Sequence, residues 1–116
     1  MEHQMNLDPE PFSKIRDGSK TVELRLYDEK RRRISPGDTI RFTNARRPEE
    51  TVLTRVQALE VFPSFAELYG ALPLLECGYT PETVESASPA DMERYYAPEL
   101  QARWGVAGIR VRVISR

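Results

Sequence analysis

The chain has 116 residues, 40 % of them apolar and 30 % charged, with a formal net charge of −1. That length supports one domain with a single core, so residues 1–116 are read as one domain. A lone cysteine (Cys77) excludes an internal disulfide, a lone histidine (His3) argues against a histidine metal site or a Ser-His-Asp triad, and no apolar run is long enough to span a bilayer.

The N-terminus lacks the basic region and apolar stretch of a signal peptide, so the expected location is cytoplasmic. His3 is expected in a frayed N-terminal segment. Asp8 to Gly18 reads as a short helix, with Asp8 as its cap, Pro9 or Pro11 in the first turn and Gly18 just past its end. Phe12 and Ile15, three apart, mark its core face.

A strand follows directly, in the stretch Gly18 to Asp28. Its alternation puts Val22, Leu24 and Leu26 on one face and Thr21, Glu23 and Arg25 on the other. Strict alternation sets Lys20 opposite Glu23 and Arg25. The three converge only if Lys20 sits in the turn before the strand proper, where Gly18 and Ser19 relax the geometry.

The charged connection 28–33 contains Arg31, Arg32 and Arg33, and Ser35-Pro36-Gly37-Asp38 is a turn signal. A second strand, Thr39 to Thr43, buries Ile40 and Phe42, and Asn44 to Glu50 is a polar loop carrying Arg46 and Arg47. A long third strand runs from about Thr51 to Phe62. Its apolar phase slips, with Val52, Val56 and Ala58 on one face but Leu53, Leu59 and Val61 on the other, which predicts a bulge or strong bend.

Ser64 and Glu67 form a capping-box pattern at the start of a two-turn helix ending near Gly70. Thr80-Pro81 and Ser88-Pro89 open two further short helices, and Ala97-Pro98 opens a last one that stops at Gly105. The final strand, Val106 to Ile114, turns Ile109, Val111 and Val113 inward and Arg110 and Arg112 outward. A strand this regular must pair with something earlier in the chain. The expected class is α+β, a small and mostly antiparallel curved sheet or barrel flanked by short helices.

Charge is unevenly spread. Lys14 to Arg55 holds 12 Lys/Arg against 7 Asp/Glu, whereas Glu60 to Glu99 holds 1 against 8. A basic side made by the first half suits an anionic partner; two solvated faces of opposite sign is the plain alternative.

The run 18–31, together with Pro36 to Phe42, Ser64 to Leu68, Cys77-Gly78-Tyr79, Met92 to Tyr96 and Gly105 to Ile109, resembles the ASCH domain family of the PUA-like superfamily. The resemblance spans about Met5 to Ile114. It implies a PUA-like β-barrel with a cleft lined by the Lys20–Arg25 strand, and a protein that binds RNA or a nucleotide. Some similar proteins hydrolyse N4-acetylcytidine, and ribonuclease activity is attributed to others, so a hydrolase is the alternative. In the amidohydrolase type a nucleophilic threonine stands three residues after the lysine. This chain has Glu23 there, and its Thr21 comes one residue after Lys20.

The site expected on these grounds uses Lys20 and Arg25 for phosphate, and Glu23 for a base edge. As an enzyme, Lys20 and Glu23 would be the acid/base pair. Tyr27 and Tyr79 are the aromatic residues expected at the cleft edge, Arg31 belongs to the steering loop, and Ser64 opens a helix N-terminus that can meet an anion. Neither a metal nor a cofactor is indicated by any ligand spacing, and the oligomeric state is not legible.

Overall fold

A computed structural model describes residues 1–115. Its sheet has five strands: β1 (Glu2–Leu7), β2 (Val22–Leu26), β3 (Thr39–Asn44), β4 (Arg47–Phe62) and β5 (Val106–Ser115). Their order in the sheet is β1-β3-β4-β5-β2. Only β1 and β3 run parallel; the other neighbours are antiparallel. The sheet curls into a half-barrel, α+β as expected, with β1 and β2 at its two edges.

The first strand corrects the expectation of a frayed terminus. Alternation of His3, Met5 and Leu7 is a genuine strand signal: all three are buried, and Glu2, Gln4 and Asn6 are exposed. His3 stays inside because its Nε2 lies 2.8 Å from Asp38 Oδ2. The 44–50 loop is also corrected. A tight turn at Ala45 and Arg46 leads straight into β4 at Arg47.

The phase slip in β4 is a bulge. Val56 pairs with Val111 and Ala58 with Arg110, so Gln57 is the extra residue. A second register shift falls between Leu53 and Thr54. Together they let one long strand follow the curl.

Helix α1 (Pro9–Asp17) closes the concave side of the sheet with Phe12 and Ile15. Gly18 ends it at φ +85°, its N–H bonded to the Ile15 carbonyl. Asp8 stands at the N-cap position, but its side chain makes no capping bond. On the other side of β2, helix α2 (Phe65–Ala71) packs Phe65 and Leu68 against Val22, Leu24 and Leu26. Gly108 permits this approach, since a Cβ there would lie 2.6 Å from Leu72 Cδ1.

Two clusters therefore flank the sheet. One fills the concave side with Met5, Phe12, Ile40, Phe42, Val52, Ile109 and their neighbours, and the other lies between β2 and α2. Short helices α3 (Ala90–Glu93) and α4 (Pro98–Trp104) and three 3-10 turns complete the chain. No helix among the described residues is long and apolar enough to cross a membrane.

Candidate functional site

The open seam of the half-barrel lies between its edge strands. A cleft of about 710 Å³ occupies it, bordered by Asn6 and Leu7 of β1, the start of α1, and Glu23, Leu24 and Arg25 of β2. The segments around Tyr79 and Met92–Tyr96 roof it.

Strand β2 is buried on both faces. Its apolar face meets α2, while Glu23 and Arg25 pair in register with Ile109 and Ala107, members of the concave-side cluster. The polar face, expected to line a cleft, is turned inward, toward the seam. The strand begins at Val22, so Lys20 precedes it and its side chain is free to swing to the Glu23 side.

All three charged side chains meet. Lys20 Nζ lies 2.9 Å from Glu23 Oε1 and Arg25 Nε 2.6 Å from Glu23 Oε2. Arg25 Nη2 also donates to the Asn6 carbonyl at 2.9 Å, spanning the gap between the edge strands. The Glu23 side chain is only 4 % exposed. Burial alone would raise its pKa, but the neighbouring Lys20 and Arg25 charges outweigh that and hold it below its ordinary value of 4.5. The triad carries one net positive charge at the cleft floor.

The loop after α2 fixes Lys20 from above. Gly78 has φ +109°, and a Cβ there would stand 3.3 Å from Lys20 Cδ. The Gly78 carbonyl accepts a 2.8 Å bond from Lys14 Nζ, which ties this loop to α1. Next to it, Tyr79 donates its hydroxyl proton to Asp91 at 2.6 Å and shares a 2.8 Å hydroxyl contact with Tyr69. Burial and these hydrogen bonds push the Tyr79 hydroxyl far above the ordinary tyrosine range. Cys77, buried beside Lys20, is raised to about 11, chiefly by burial. Tyr95 stands 54 % exposed at the rim, and Tyr96 lines the wall and stacks on Phe65.

Of the expected site residues, Lys20, Glu23, Arg25 and Tyr79 are brought together. Tyr27, Arg31 and Ser64 lie outside the cleft. The Tyr27 ring is covered by the Arg32 guanidinium at 4.4 Å. Arg31 is held by Asp28 at 2.9 Å. The Ser64 hydroxyl bonds the Glu67 carboxylate rather than a backbone N–H, and the Phe65 N–H is taken by Gln101 Oε1 at 3.0 Å. That helix N-terminus is therefore occupied. Asn6, Lys14 and Gly78 were not singled out as site residues by the sequence reading. The glycine beside Tyr79 was the available signal. No group of three His, Cys, Asp or Glu among the described residues could hold a metal ion.

A family model described as the ASCH domain matches residues 5–114. No curated protein matches the chain. Among solved structures, the chain is similar to the hypothetical protein PH0355, with 30 % identity over 98 % of this chain and 100 % of that one, at a TM-score of 0.78. It is similar to protein PF0455 from Pyrococcus furiosus, with 32 % identity over the whole of both chains and a TM-score of 0.75. The fold is also that of an ASCH protein from Zymomonas mobilis, at 18 % identity over 96 % of this chain and 66 % of that one, TM-score 0.63.

Proposed function

Because this chain belongs to the ASCH domain family, we propose that it binds RNA by taking one unpaired nucleotide into the seam cleft. The observation that carries this reading is the buried Lys20–Glu23–Arg25 triad at the floor of a cleft that four tyrosines, Tyr69, Tyr79, Tyr95 and Tyr96, help to line. Unpaired bases are recognised by stacking on aromatic side chains and by hydrogen bonds at their edges. Tyr95 and Tyr96 supply the rings, each through the face left open, since Arg94 stands 4.9 Å from the Tyr95 centroid and Phe65 stacks on Tyr96. An ionised Glu23 accepts from an exocyclic amine, while Lys20 and Arg25 donate to carbonyl or phosphate oxygens. The cleft volume is that of a small-ligand site.

The same residues support a hydrolytic reading less well. An acid/base pair needs a group that changes protonation during turnover. Glu23 is held ionised with a cation on each oxygen, which suits an acceptor better than a proton donor.

The test is a titration of short single-stranded RNA and of nucleoside monophosphates against the protein and its Tyr95→Ala and Lys20→Met variants. Binding should fall steeply with salt. Tyr95→Ala should weaken it about fivefold or more, since one stacked base contributes roughly 1–3 kcal/mol. Tyr95 is exposed, so that variant keeps the fold. Binding that ignores both substitutions would sink the cleft reading. Chromatography of the same mixtures, with N4-acetylcytidine added, would reveal any hydrolysis product and restore the enzyme reading.

A further inference from the structure

Lys20 borders a second hollow. It measures about 400 Å³ and is lined by Lys20, Thr21, Gln57, Glu76, Arg110 and Arg112, among others. It opens at the end of β5 next to the start of β2: Ile15, Gly18, Val111 and Val113 line it from the α1 side, while Arg110 and Arg112, which project opposite to Ile109 and Val111, line it from the convex side. The bulge residue Gln57 reaches the same hollow.

Its charges do not cancel. Glu76 is the only carboxylate in the lining, and it is already engaged. Arg110 Nη1 stands 2.6 Å from its Oε1, and the Thr21 hydroxyl donates to the same oxygen at 3.3 Å. Lys20 is neutralised by Glu23 on the cleft side. Arg112 remains as surplus positive charge, exposed and without a hydrogen-bond or ion-pair partner among the described residues. Directly opposite it in the antiparallel register stands a second arginine, Arg55. Arg55 spends one guanidinium N–H on the Gly37 carbonyl at 2.7 Å and has no carboxylate partner among the described residues. Like charges at directly opposed strand positions repel and destabilise the sheet. An anion laid between them would remove that repulsion.

Spacing points the same way. Alternate residues on a strand are roughly 6.8 Å apart, of the order of the phosphate repeat of an extended nucleic-acid strand. Arg110 and Arg112 are such a pair.

We propose that the convex face of β4 and β5 is a phosphate track. Single-stranded RNA with one base in the seam cleft runs its backbone past Lys20 and over Arg110, Arg112 and Arg55. This rests on the cleft reading and adds to it: the partner is a strand of several nucleotides, not a lone nucleoside.

The experiment measures anisotropy of a labelled single-stranded RNA of about ten nucleotides, a length suited to one small domain, over a salt series. Calorimetry with a nucleoside monophosphate runs in parallel. The variants are Arg112→Gln, Arg55→Gln/Arg112→Gln, Tyr95→Ala and Lys20→Met. Each arginine removed should lower the slope of log K against log salt by about 0.7, with monophosphate binding unchanged. Tyr95→Ala should weaken both ligands. Arg112→Gln should hold or raise the melting temperature, so loss of fold does not confuse the result. An unchanged salt slope in the double variant overturns the track. Arginine variants that weaken RNA while Tyr95→Ala weakens neither ligand overturn its continuity with the cleft. Tyr95→Ala and Lys20→Met without effect on the monophosphate overturn the cleft reading itself.

Discussion

Glu23→Gln is the most informative single substitution. The native carboxylate is 4 % exposed and accepts from two cations, one at each oxygen. Glutamine has nearly the same volume, so no cavity forms. It has one acceptor oxygen, and its amide nitrogen only donates. One of Lys20 and Arg25 must therefore lose its partner, and the negative charge that balanced both is gone. Removing one member of a buried ion pair costs about 3–5 kcal/mol, because a buried charge is left uncompensated. For 116 residues the unfolding entropy near the midpoint is about 0.24 kcal/mol/K, so the melting temperature should fall by roughly 12–20 °C. The assay is thermal and urea unfolding followed by circular dichroism. A double-mutant cycle with Lys20→Met assigns the coupling: if the pair matters, the double variant should lose less than the two single losses added together. A Glu23→Gln protein within about 1 kcal/mol of the parent, or a cycle without coupling, would refute the claim that the triad is a balanced buried unit.

The other expectations follow from neighbouring groups. Glu23 has a folded pKa below its ordinary 4.5, so its share of stability is present above about pH 4.5 and lost as pH falls through the folded value; the gap between parent and Glu23→Gln should narrow there in urea melts at stepped pH. The Cys77 thiol, raised to about 11, should react with a disulfide reagent at pH 8 roughly two orders of magnitude more slowly than an unperturbed thiol of pKa about 8.5. Addition of urea should restore the ordinary rate, and fast reaction of the folded protein would contradict the burial. Gly78→Ala forces an L-residue to φ +109° and a Cβ against Lys20 Cδ. It should cost about 1–3 kcal/mol and weaken ligand binding at the cleft more than Tyr79→Phe does. Equal affinity in both variants would show that the glycine does not position the lysine.

How much of this was legible depended on where each partner lay in the chain. Helix α1 and strand β5 were readable because their signals are local: a glycine stop at Gly18, and alternation of Ile109, Val111 and Val113. The bulge at Gln57 showed as a phase slip, since one inserted residue inverts the faces of a strand. Strand β1 was missed although His3, Met5 and Leu7 alternate. Its only partner is β3, more than thirty residues away and parallel, and a histidine in the buried row looks polar until Asp38 is placed against it. Strand β2 was placed by its alternation, and its charged row was assigned to a cleft only through the family resemblance. Its charged row reads as solvent-facing by composition, and only the curl of the sheet turns it inward. Within the site, Lys20, Glu23 and Arg25 were found because they are close in sequence. Gly78 over Lys20, Lys14 on the Gly78 carbonyl and Arg25 on Asn6 are tertiary contacts with no local pattern. Tyr27 and Arg31 look like binding residues by type, yet Arg32 and Asp28 already occupy them.

The strand order has one consequence for how the edges of the sheet are protected. An unpaired strand margin ordinarily invites a second chain to add itself, and proteins disguise such margins with charges, bulges or covering segments. Here the two margins, β1 and β2, face each other across the seam instead of facing outward. Arg25 bridges them with a side chain where a backbone ladder would have run. A sixth strand that completed the barrel would remove the hazard and the hollow together. Edge protection and the proposed binding cleft thus share one piece of construction, and a change that closes the gap removes the cleft.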